Sequence, residues 1–271
     1  MARTRRADDL LVARGCYASR AEAERALLAG EVRLDDAQKT RLDKPGQLID
    51  EESAFLCQGA RRFVSRGGEK LAGALADFDY SVRDLRCIDV GASTGGFTDC
   101  LLQAGAASVV ALDVAYGIID WKLRRDPRVR VVERCNIRTA DVSALGAPFD
   151  LLVADLSFIS LATVFAALQR CVGERGEMLL LVKPQFEAAR AEVGAGGVVR
   201  DQQVQQAVLA RLEATVRGAG ATVRGWTYSP VKGTKGNIEF WLWIGAETGN
   251  EPCDNREPVD MVVRSAHERL D

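Results

Sequence analysis

A glycine-rich turn between an apolar strand and a helix is the feature that most constrains this chain. Residues 87–98 read CIDVGASTGGFT: a short apolar run ends in an acid, the turn follows, and a helix begins near Phe97. Glycine, which has no Cβ, lets the backbone pass close to a ligand, and a helix N-terminus offers unpaired N–H groups. The run therefore predicts a strand, a loop and a helix that cradle a nucleotide.

Strand-like and helix-like segments alternate along most of the chain. The predicted strands are 87–90, 108–113, 129–133, 150–155, 177–183, 222–228 and 238–244. The predicted helices are 69–78, 97–104, 161–169 and 202–217. Such alternation predicts the α/β class, with a doubly wound, mostly parallel sheet. Residues 229–237 form a loop rich in glycine and lysine without a helix, so the last strand is predicted to be antiparallel to its neighbour.

The first part of the chain has a different pattern and is predicted to be a separate small α+β domain over residues 1–59. Two short helices come first, and Ser19 is the expected N-cap of the second, with Glu22 completing a capping box. Gly30 ends that helix, and short alternating strands follow. Residues 60–64 are the predicted linker to a second domain over residues 65–271.

The turn fits some nucleotides better than others. A dinucleotide site needs G-x-G-x-x-G, but Ala92 stands in the first part of that pattern, and Phe97 stands where a Walker loop needs lysine. The pattern resembles instead the first motif of S-adenosylmethionine-dependent methyltransferases. Asp113 follows about twenty residues later, where a carboxylate accepts both ribose hydroxyls. The residues predicted to bind the cofactor are Gly91, Ala92, Ser93, Thr94, Gly95, Gly96, Phe97, Asp113 and Asn136.

Charged residues at the ends of elements indicate which atom is methylated. The fourth sheet strand ends in ADLSF, which is neither the Asn/Asp-Pro-Pro motif of amine methyltransferases nor a site with a nucleophilic cysteine. The carboxyl ends of parallel strands share one crevice, so Asp155 and Lys183 are expected beside the sulfonium group. Lys70 and Glu239 are placed less firmly by this argument. The predicted catalytic set is Lys70, Asp155, Lys183 and Glu239.

Transfer to a ribose 2′-hydroxyl requires such a set. The hydroxyl is a poor nucleophile, so the enzyme must align it with the methyl group and help to remove its proton. A lysine that is buried beside a second cation gives up its own proton more readily, so Lys183 is the predicted base. Lys70 would steady the developing alkoxide, and Asp155 and Glu239 would orient the two ammonium groups. The chemistry requires no metal.

These residues are similar to the Lys-Asp-Lys-Glu tetrad of the FtsJ-like ribose 2′-O-methyltransferases, and the whole chain resembles the TlyA, or haemolysin-A-like, family. The matching stretches are RG at 14–15, SR at 19–20, SRGGEKL at 65–71, DVGASTGGFT at 89–98, ADLSFIS at 154–160, VKPQFE at 182–187 and GGVVRD at 196–201. The resemblance implies an S-four-type RNA-binding domain before an FtsJ-like methyltransferase domain. It also implies S-adenosylmethionine as cofactor and cytidines of 16S or 23S ribosomal RNA, or of both, as substrate.

The resemblance also places RNA contacts in the front domain. The residues it implies there are Arg6, Arg14, Ser19 and Arg20. Cations and helix N–H groups of this kind bind phosphates, which positions an RNA without reading its sequence. The net charge of the whole chain is −2, so any basic surface must be local.

Composition limits the other classes of function. The chain has seven cysteines without a C-x-x-C pair, which disfavours disulfides and zinc and favours a reducing cytoplasm. Its one histidine, His267, nearly excludes histidine catalysis and histidine metal sites. No run approaches the roughly 18 apolar residues of a membrane span. Two alternatives stay open: a membrane-active haemolysin, and a non-catalytic RNA-binding factor for ribosome assembly.

Overall fold

The computed structural model describes residues 3–17, 19–57, 62–245 and 257–271. The chain divides into two compact units, Met1–Val64 and Ser65–Asp271. Of the predicted linker 60–64, residues 60 and 61 lie outside the described residues. Within the described ranges, no helix has both the length and the apolar character needed to cross a membrane.

The first unit is a small α+β structure. Its elements are β1 (Thr4–Arg6), α1 (Ala7–Ala13), α2 (Arg20–Ala29), β2 (Val32–Leu34), β3 (Arg41–Leu42), β4 (Leu48–Asp50) and β5 (Phe55–Cys57). Strand β2 pairs with β3 and β5, and β1 pairs with β4, all antiparallel. As the sequence predicts, Ser19 Oγ accepts the Glu22 N–H at the start of α2 (3.3 Å), and Gly30 ends the helix at φ 73°. The short β1 and β3 escaped prediction because two or three residues show no alternation.

The second unit contains the remaining elements. Its strands are β6 (Arg86–Val90), β7 (Ser108–Leu112), β8 (Val129–Val132), β9 (Phe149–Ala154), β10 (Val172–Val182), β11 (Thr222–Tyr228) and β12 (Phe240–Gly245). Its helices are α3 (Arg66–Asp77), α4 (Gly96–Gln103), α5 (Trp121–Arg124), α6 (Val142–Leu145), α7 (Leu161–Gln169), α8 (Pro184–Glu187), α9 (Gln202–Gly218) and α10 (Val259–Leu270).

The seven strands form one sheet in the order β11-β12-β10-β9-β6-β7-β8. Neighbours from β10 to β8 pair in parallel, and β12 is antiparallel to both β10 and β11. The predicted α/β class and the antiparallel last strand are therefore confirmed. Strands covered on both faces need apolar side chains throughout, and Ile88, Leu152 and Leu180 are fully buried.

The direction of β12 matters for the site. Phe240, the first residue of β12, pairs with Val182, the last residue of β10. Glu239 therefore enters the sheet at the edge where the parallel strands end, next to Lys183. A parallel last strand would have placed Glu239 at the opposite edge. Strand β10 is also longer than predicted, because Gly173 and Gly176 interrupt its apolar pattern around a shift in register.

Candidate active site

The glycine-rich turn lies where β6 ends. The N–H groups of Gly91 and Ala92 both donate to the carbonyl of Leu112 at the end of β7, at 2.8 and 3.1 Å. Gly91 has φ 86°, and a Cβ there would lie 2.6 Å from the backbone oxygen of Asp155. Glycine is therefore required by the close approach of the protein's own chain, a reason that the sequence alone did not supply.

A cavity of about 430 Å³ opens beside this turn. Four of the nine residues predicted to bind the cofactor line it, namely Gly91, Ser93, Asp113 and Asn136. Asp113 accepts the Ser93 N–H and the Ala115 N–H through its two oxygens, each at 2.7 Å. Asn136 Oδ1 accepts the Arg138 N–H at 3.0 Å. The polar groups of this cavity are thus held in place by the backbone around them.

The other five predicted cofactor residues do not line this cavity. They are Ala92, Thr94, Gly95, Gly96 and Phe97. The Phe97 ring is buried and packs on Trp241, with 5.2 Å between centroids. A Cβ on Gly96 would lie 2.9 Å from the Gly68 nitrogen, so this glycine lets α4 begin against the first turn of α3. Gly96 and Phe97 thus fix the start of α4 against its neighbours.

Two lysine–carboxylate ion pairs lie at the same edge of the sheet. Lys70 Nζ is 2.5 Å from Glu239 Oε2, and Lys183 Nζ is 2.5 Å from Asp155 Oδ1. Lys183 Nζ also donates to Ser157 Oγ at 2.9 Å. Lys70, Lys183 and Glu239 are each less than 10% exposed. The Asp155 side chain is 24% exposed. Burial of the other three charged groups is costly, and pairing offsets that cost.

The two pairs share one electrostatic environment. Burial raises the pKa of the Glu239 carboxyl above its ordinary value, while the positive charge and hydrogen bond of Lys70 act in the opposite direction. The charges of Asp155 and Lys183 also influence this pKa. The register of β10 and β12 gives the geometric reason, because it brings Lys183 and Glu239 to adjacent strand ends. The structure therefore brings all four predicted catalytic residues together, including Lys70 and Glu239, which the sequence placed less firmly.

An aromatic pair at the rim, in which Phe158 is exposed and Phe186 is half-buried, was missed by the sequence analysis. Phe158 is 91% exposed, lies at the lining of the cavity and has φ 64°, a strained value for a residue with a side chain. Its ring centroid is 5.2 Å from that of Phe186, and Lys183 Nζ lies 5.9 Å from the Phe186 centroid. Ser157, which holds Lys183, was also missed. Both belong to the ADLSF run, whose hydroxyl and ring were available signals.

The residues predicted to contact RNA lie in the first unit and are engaged in internal contacts. Arg6 and Arg20 both pair with the buried carboxylate of Asp8, at 2.6 and 3.1 Å. The hydrogen bond from Arg6 lowers the pKa of Asp8. Arg14 donates to the backbone carbonyls of residues 51 and 53, and Ser19 caps α2. About half of the Arg6 and Arg20 side-chain surface stays exposed, at 41% and 51%.

Asp89, the acid that ends the apolar run, is fully buried. Its Oδ2 accepts the Thr98 N–H at 3.0 Å and the Thr98 hydroxyl at 2.7 Å, while Oδ1 has no hydrogen-bond partner among the described residues. Burial raises the pKa of Asp89 to about 7, and the nearby charge of Asp155 adds to this. The carboxyl group is thus a structural link between β6 and α4 that is neutral below about pH 7.

Asp89→Asn is expected to be more stable than the wild type above about pH 8. Because the pKa in the folded state exceeds that in the unfolded chain, the wild-type free energy of unfolding falls as the pH rises from about 4 to about 7. The raised pKa of Asp89 means that its charged form costs the folded protein about 4 kcal/mol at high pH, whereas an amide NH₂ without a partner costs about 1–3 kcal/mol, which leaves a gain of about 1–3 kcal/mol. Urea unfolding at about pH 5.5 and 8.5 measures it.

Asp126→Asn is the matched control, because the hydrogen bond from Arg128 lowers the pKa of Asp126. Replacing the Asp126 carboxylate with an amide should therefore give no gain in stability at high pH. Identical stability curves for Asp89→Asn and the wild type across this range would contradict a neutral Asp89 in the folded protein.

The strand order, the turn after β6 and the cavity beside it define a Rossmann-like fold of the methyltransferase kind. Residues 63–246 match the family model described as FtsJ-like methyltransferase. The chain belongs to the FtsJ-like methyltransferase family, and its near full-length relatives place it among the TlyA proteins.

Two curated relatives cover most of the chain. The 16S/23S rRNA (cytidine-2′-O)-methyltransferase TlyA of Mycobacterium tuberculosis is 45% identical over 250 residues, which is 92% of each chain. Hemolysin A of Brachyspira hyodysenteriae is 36% identical over 236 residues, 87% of this chain and 97% of the relative. Among solved structures, a hemolysin-like protein from Streptococcus thermophilus is 39% identical, has a TM-score of 0.73, and covers 99% of this chain and 98% of its own.

Proposed function

We propose that this protein transfers the methyl group of S-adenosylmethionine to the ribose 2′-hydroxyl of cytidines in ribosomal RNA. The single observation that carries the proposal is the presence of two lysine–carboxylate ion pairs at the carboxyl edge of the sheet, with Asp155 of one pair lining the cavity. The name of the Mycobacterium tuberculosis relative supports the choice of atom, nucleotide and RNA. Cytoplasmic location and association with ribosomal subunits are part of the same proposal.

The residues that line the cavity fit the cofactor. S-adenosylmethionine supplies, when bound, a methyl group activated by a positively charged sulfur. A carboxylate oxygen accepts more than one hydrogen bond, so Asp113 can accept ribose hydroxyls beyond its two backbone partners. The Asn136 side chain, whose oxygen is held by the Arg138 N–H, has amide hydrogens to offer an adenine edge. Ser93, which belongs to the turn, lines the same cavity.

The lysines do the chemistry on the RNA side. Lys183 Nζ first releases one proton to solvent and then, as the neutral amine, takes the proton of the 2′-hydroxyl; Asp155 and Ser157 hold that nitrogen in place. The ammonium group of Lys70, fixed by Glu239, stabilises the negative charge that develops on the ribose oxygen. Because these groups are fixed before substrate binds, little reorganisation is needed when the reaction begins.

The test uses purified protein, S-adenosylmethionine with a tritiated methyl group, and both ribosomal subunits. We expect label in ribosomal RNA at cytidines, on the ribose, which alkaline hydrolysis identifies as linkages that resist cleavage. Lys183→Ala serves as the inactive control. Label on a base, or none in RNA under any of these conditions, would contradict the proposed function.

The first unit is proposed as an S-four-type RNA-binding domain. Exchanging Arg14 and Arg20 for glutamine is expected to weaken RNA binding and to reduce the slope of log affinity against log salt concentration by about 1.4–1.8, since each lost phosphate contact contributes about 0.7–0.9. Filter binding at several salt concentrations measures this slope. The matched control exchanges both for lysine, which keeps the charge. An unchanged slope in the glutamine variant would exclude these residues as phosphate contacts.

A further inference from the structure

A second surface of the methyltransferase unit exposes two aromatic rings, each covered by an arginine. Tyr116 is 67% exposed and Trp121 is 63% exposed. The Arg134 guanidinium carbon lies 4.3 Å from the Tyr116 centroid, and that of Arg125 lies 4.7 Å from the Trp121 centroid. We call these four residues the arginine–aromatic surface. Rings of this size are normally buried, so their exposure suggests a partner.

The two arginines carry positive charge, and the acid nearest to Arg134 in the sequence is already bound: the hydrogen bond from Arg124, together with the charge of Arg134, lowers the pKa of Glu133. Lys122 and Arg124 of the same segment pair with Asp99 and Glu133, respectively. Neither Arg125 nor Arg134 forms an ion pair within the part of the chain that the structure describes. Arg134 also has φ 54°, an unfavourable value for a residue with a side chain. The fold therefore tolerates backbone strain at the residue that stacks on Tyr116.

The two rings of the arginine–aromatic surface lie on a segment that also lines the cavity. Tyr116 and Trp121 belong to the segment that follows β7, and Val114 and Ile118 of that segment line the cavity. Arg134 follows β8. The arginine–aromatic surface thus lies at the β7–β8 side of the carboxyl edge. The two lysine–carboxylate pairs lie on the other side, at the ends of β9 and β10 and the start of β12.

We propose that the arginine–aromatic surface binds unpaired nucleotides of the RNA substrate, with bases stacked on Tyr116 and Trp121 and phosphates beside Arg125 and Arg134. Unpaired RNA offers flat rings and negative charge together, which is what this surface complements. An apolar protein partner would have to desolvate both guanidinium groups without neutralising them. The inference rests on the proposed function, and it assigns to the methyltransferase unit an RNA contact separate from the arginines of the first unit.

Intrinsic fluorescence gives a direct test, because Trp121 differs from the other three tryptophans of the chain. Trp241 is fully buried, Trp226 is 7% exposed, and Trp243 is half-buried. The probe is an unstructured oligoribonucleotide of about a dozen residues, titrated without cofactor. We expect stacking to quench the exposed tryptophan, and a duplex of the same composition to quench it far less.

Two substitutions of Trp121 distinguish the contribution of stacking to RNA affinity from the fluorescence change that reports it. Trp121→Phe should abolish the quenching but keep the affinity, measured by fluorescence polarisation of labelled RNA, within about twofold, since a phenyl ring still stacks. Trp121→Ala should weaken binding about tenfold or more. Arg125→Gln should weaken binding and lower its salt dependence. The matched control is Arg217→Gln, because Arg217 is an exposed arginine that pairs with Glu213 and lies over no ring among the described residues.

Each outcome decides the proposal. Absence of quenching together with unchanged affinity in Trp121→Ala would overturn it, and so would equal quenching by duplex and single strand. Ultraviolet crosslinking of Trp121 in a complex with ribosomal subunits to protein and not to RNA would also overturn it. Because none of these measurements requires methyl transfer, quenching in a protein that fails to methylate RNA would leave this surface standing while the proposed function fails.

Discussion

Replacing Lys183 with alanine is expected to slow methyl transfer about a thousandfold while changing cofactor affinity less than about threefold. A positioned general base contributes about 10²–10⁴ to a rate, and Lys183 Nζ is held by Asp155 and Ser157 at the edge of the cavity. Lys183 is not among the residues that line the cavity, so the cofactor should lose no contact. Single-turnover transfer to ribosomal subunits and calorimetry with S-adenosylhomocysteine measure the two quantities.

The variant Lys183→Arg tests whether Lys183 acts as a general base or only through its positive charge. Arginine keeps the positive charge and the pairing with Asp155 but does not release its proton at any accessible pH. We expect this variant to be as slow as the alanine variant. Recovery of most of the rate with arginine would make Lys183 an electrostatic group, and near wild-type turnover in Lys183→Ala would remove it from the reaction.

The sequence predicted the sheet well, because parallel strands that are buried on both faces are long apolar runs. The segment 222–228 matches β11 at both ends, and 161–169 matches α7. Errors occurred where burial is partial or glycines interrupt the pattern. The first residues of β10 contain Gly173 and Gly176, and the four-residue helices α5, α6 and α8 are too short to show a period.

The site was predictable in its residues but not in its contacts. The carboxyl edge of a parallel sheet gathers strand ends, which is why Asp155 and Lys183 were expected together. The partner of Lys70 depends on the register of β12, and the partner of Lys183 depends on the pairing of β9 with β10; no local pattern encodes either. The exposure of Phe158 and the packing of Phe97 were equally invisible, because an aromatic residue in a sequence carries no indication of which side of a turn it will occupy.

Cysteines give a second example of contacts that spacing does not reveal. The sequence shows them as single residues, yet the thiols of Cys16 and Cys57, on opposite ends of the first unit's sequence, are hydrogen-bonded. That hydrogen bond lowers the pKa of Cys16 to about 7. Residues about forty positions apart meet only because both pack against the same core of the first unit, which is a property of the tertiary fold.

Replacing Lys70 with alanine is expected to lower the free energy of unfolding by about 3–5 kcal/mol at neutral pH, since it leaves a buried charge without its partner. Glu239 is 3% exposed, and its carboxyl lies 2.5 Å from the ammonium group that is removed. Arg217→Ala, which breaks the exposed pair with Glu213, is the control and should cost less than about 1 kcal/mol. Urea unfolding of the three proteins measures these values.

The loss of stability in Lys70→Ala should depend on pH, and this dependence identifies the cause of the loss. Burial already raises the pKa of Glu239, and loss of the lysine removes the main influence that lowers it. A raised pKa in the folded state means that the neutral form is favoured there, so the free energy of unfolding increases as the pH falls toward the unfolded value. The deficit should therefore be largest above pH 7 and shrink in acid. Adding Glu239→Gln to Lys70→Ala should restore most of the lost free energy of unfolding, because no unpaired charge is left. If the double variant stays as unstable as Lys70→Ala, Lys70 stabilises the fold through packing instead of charge.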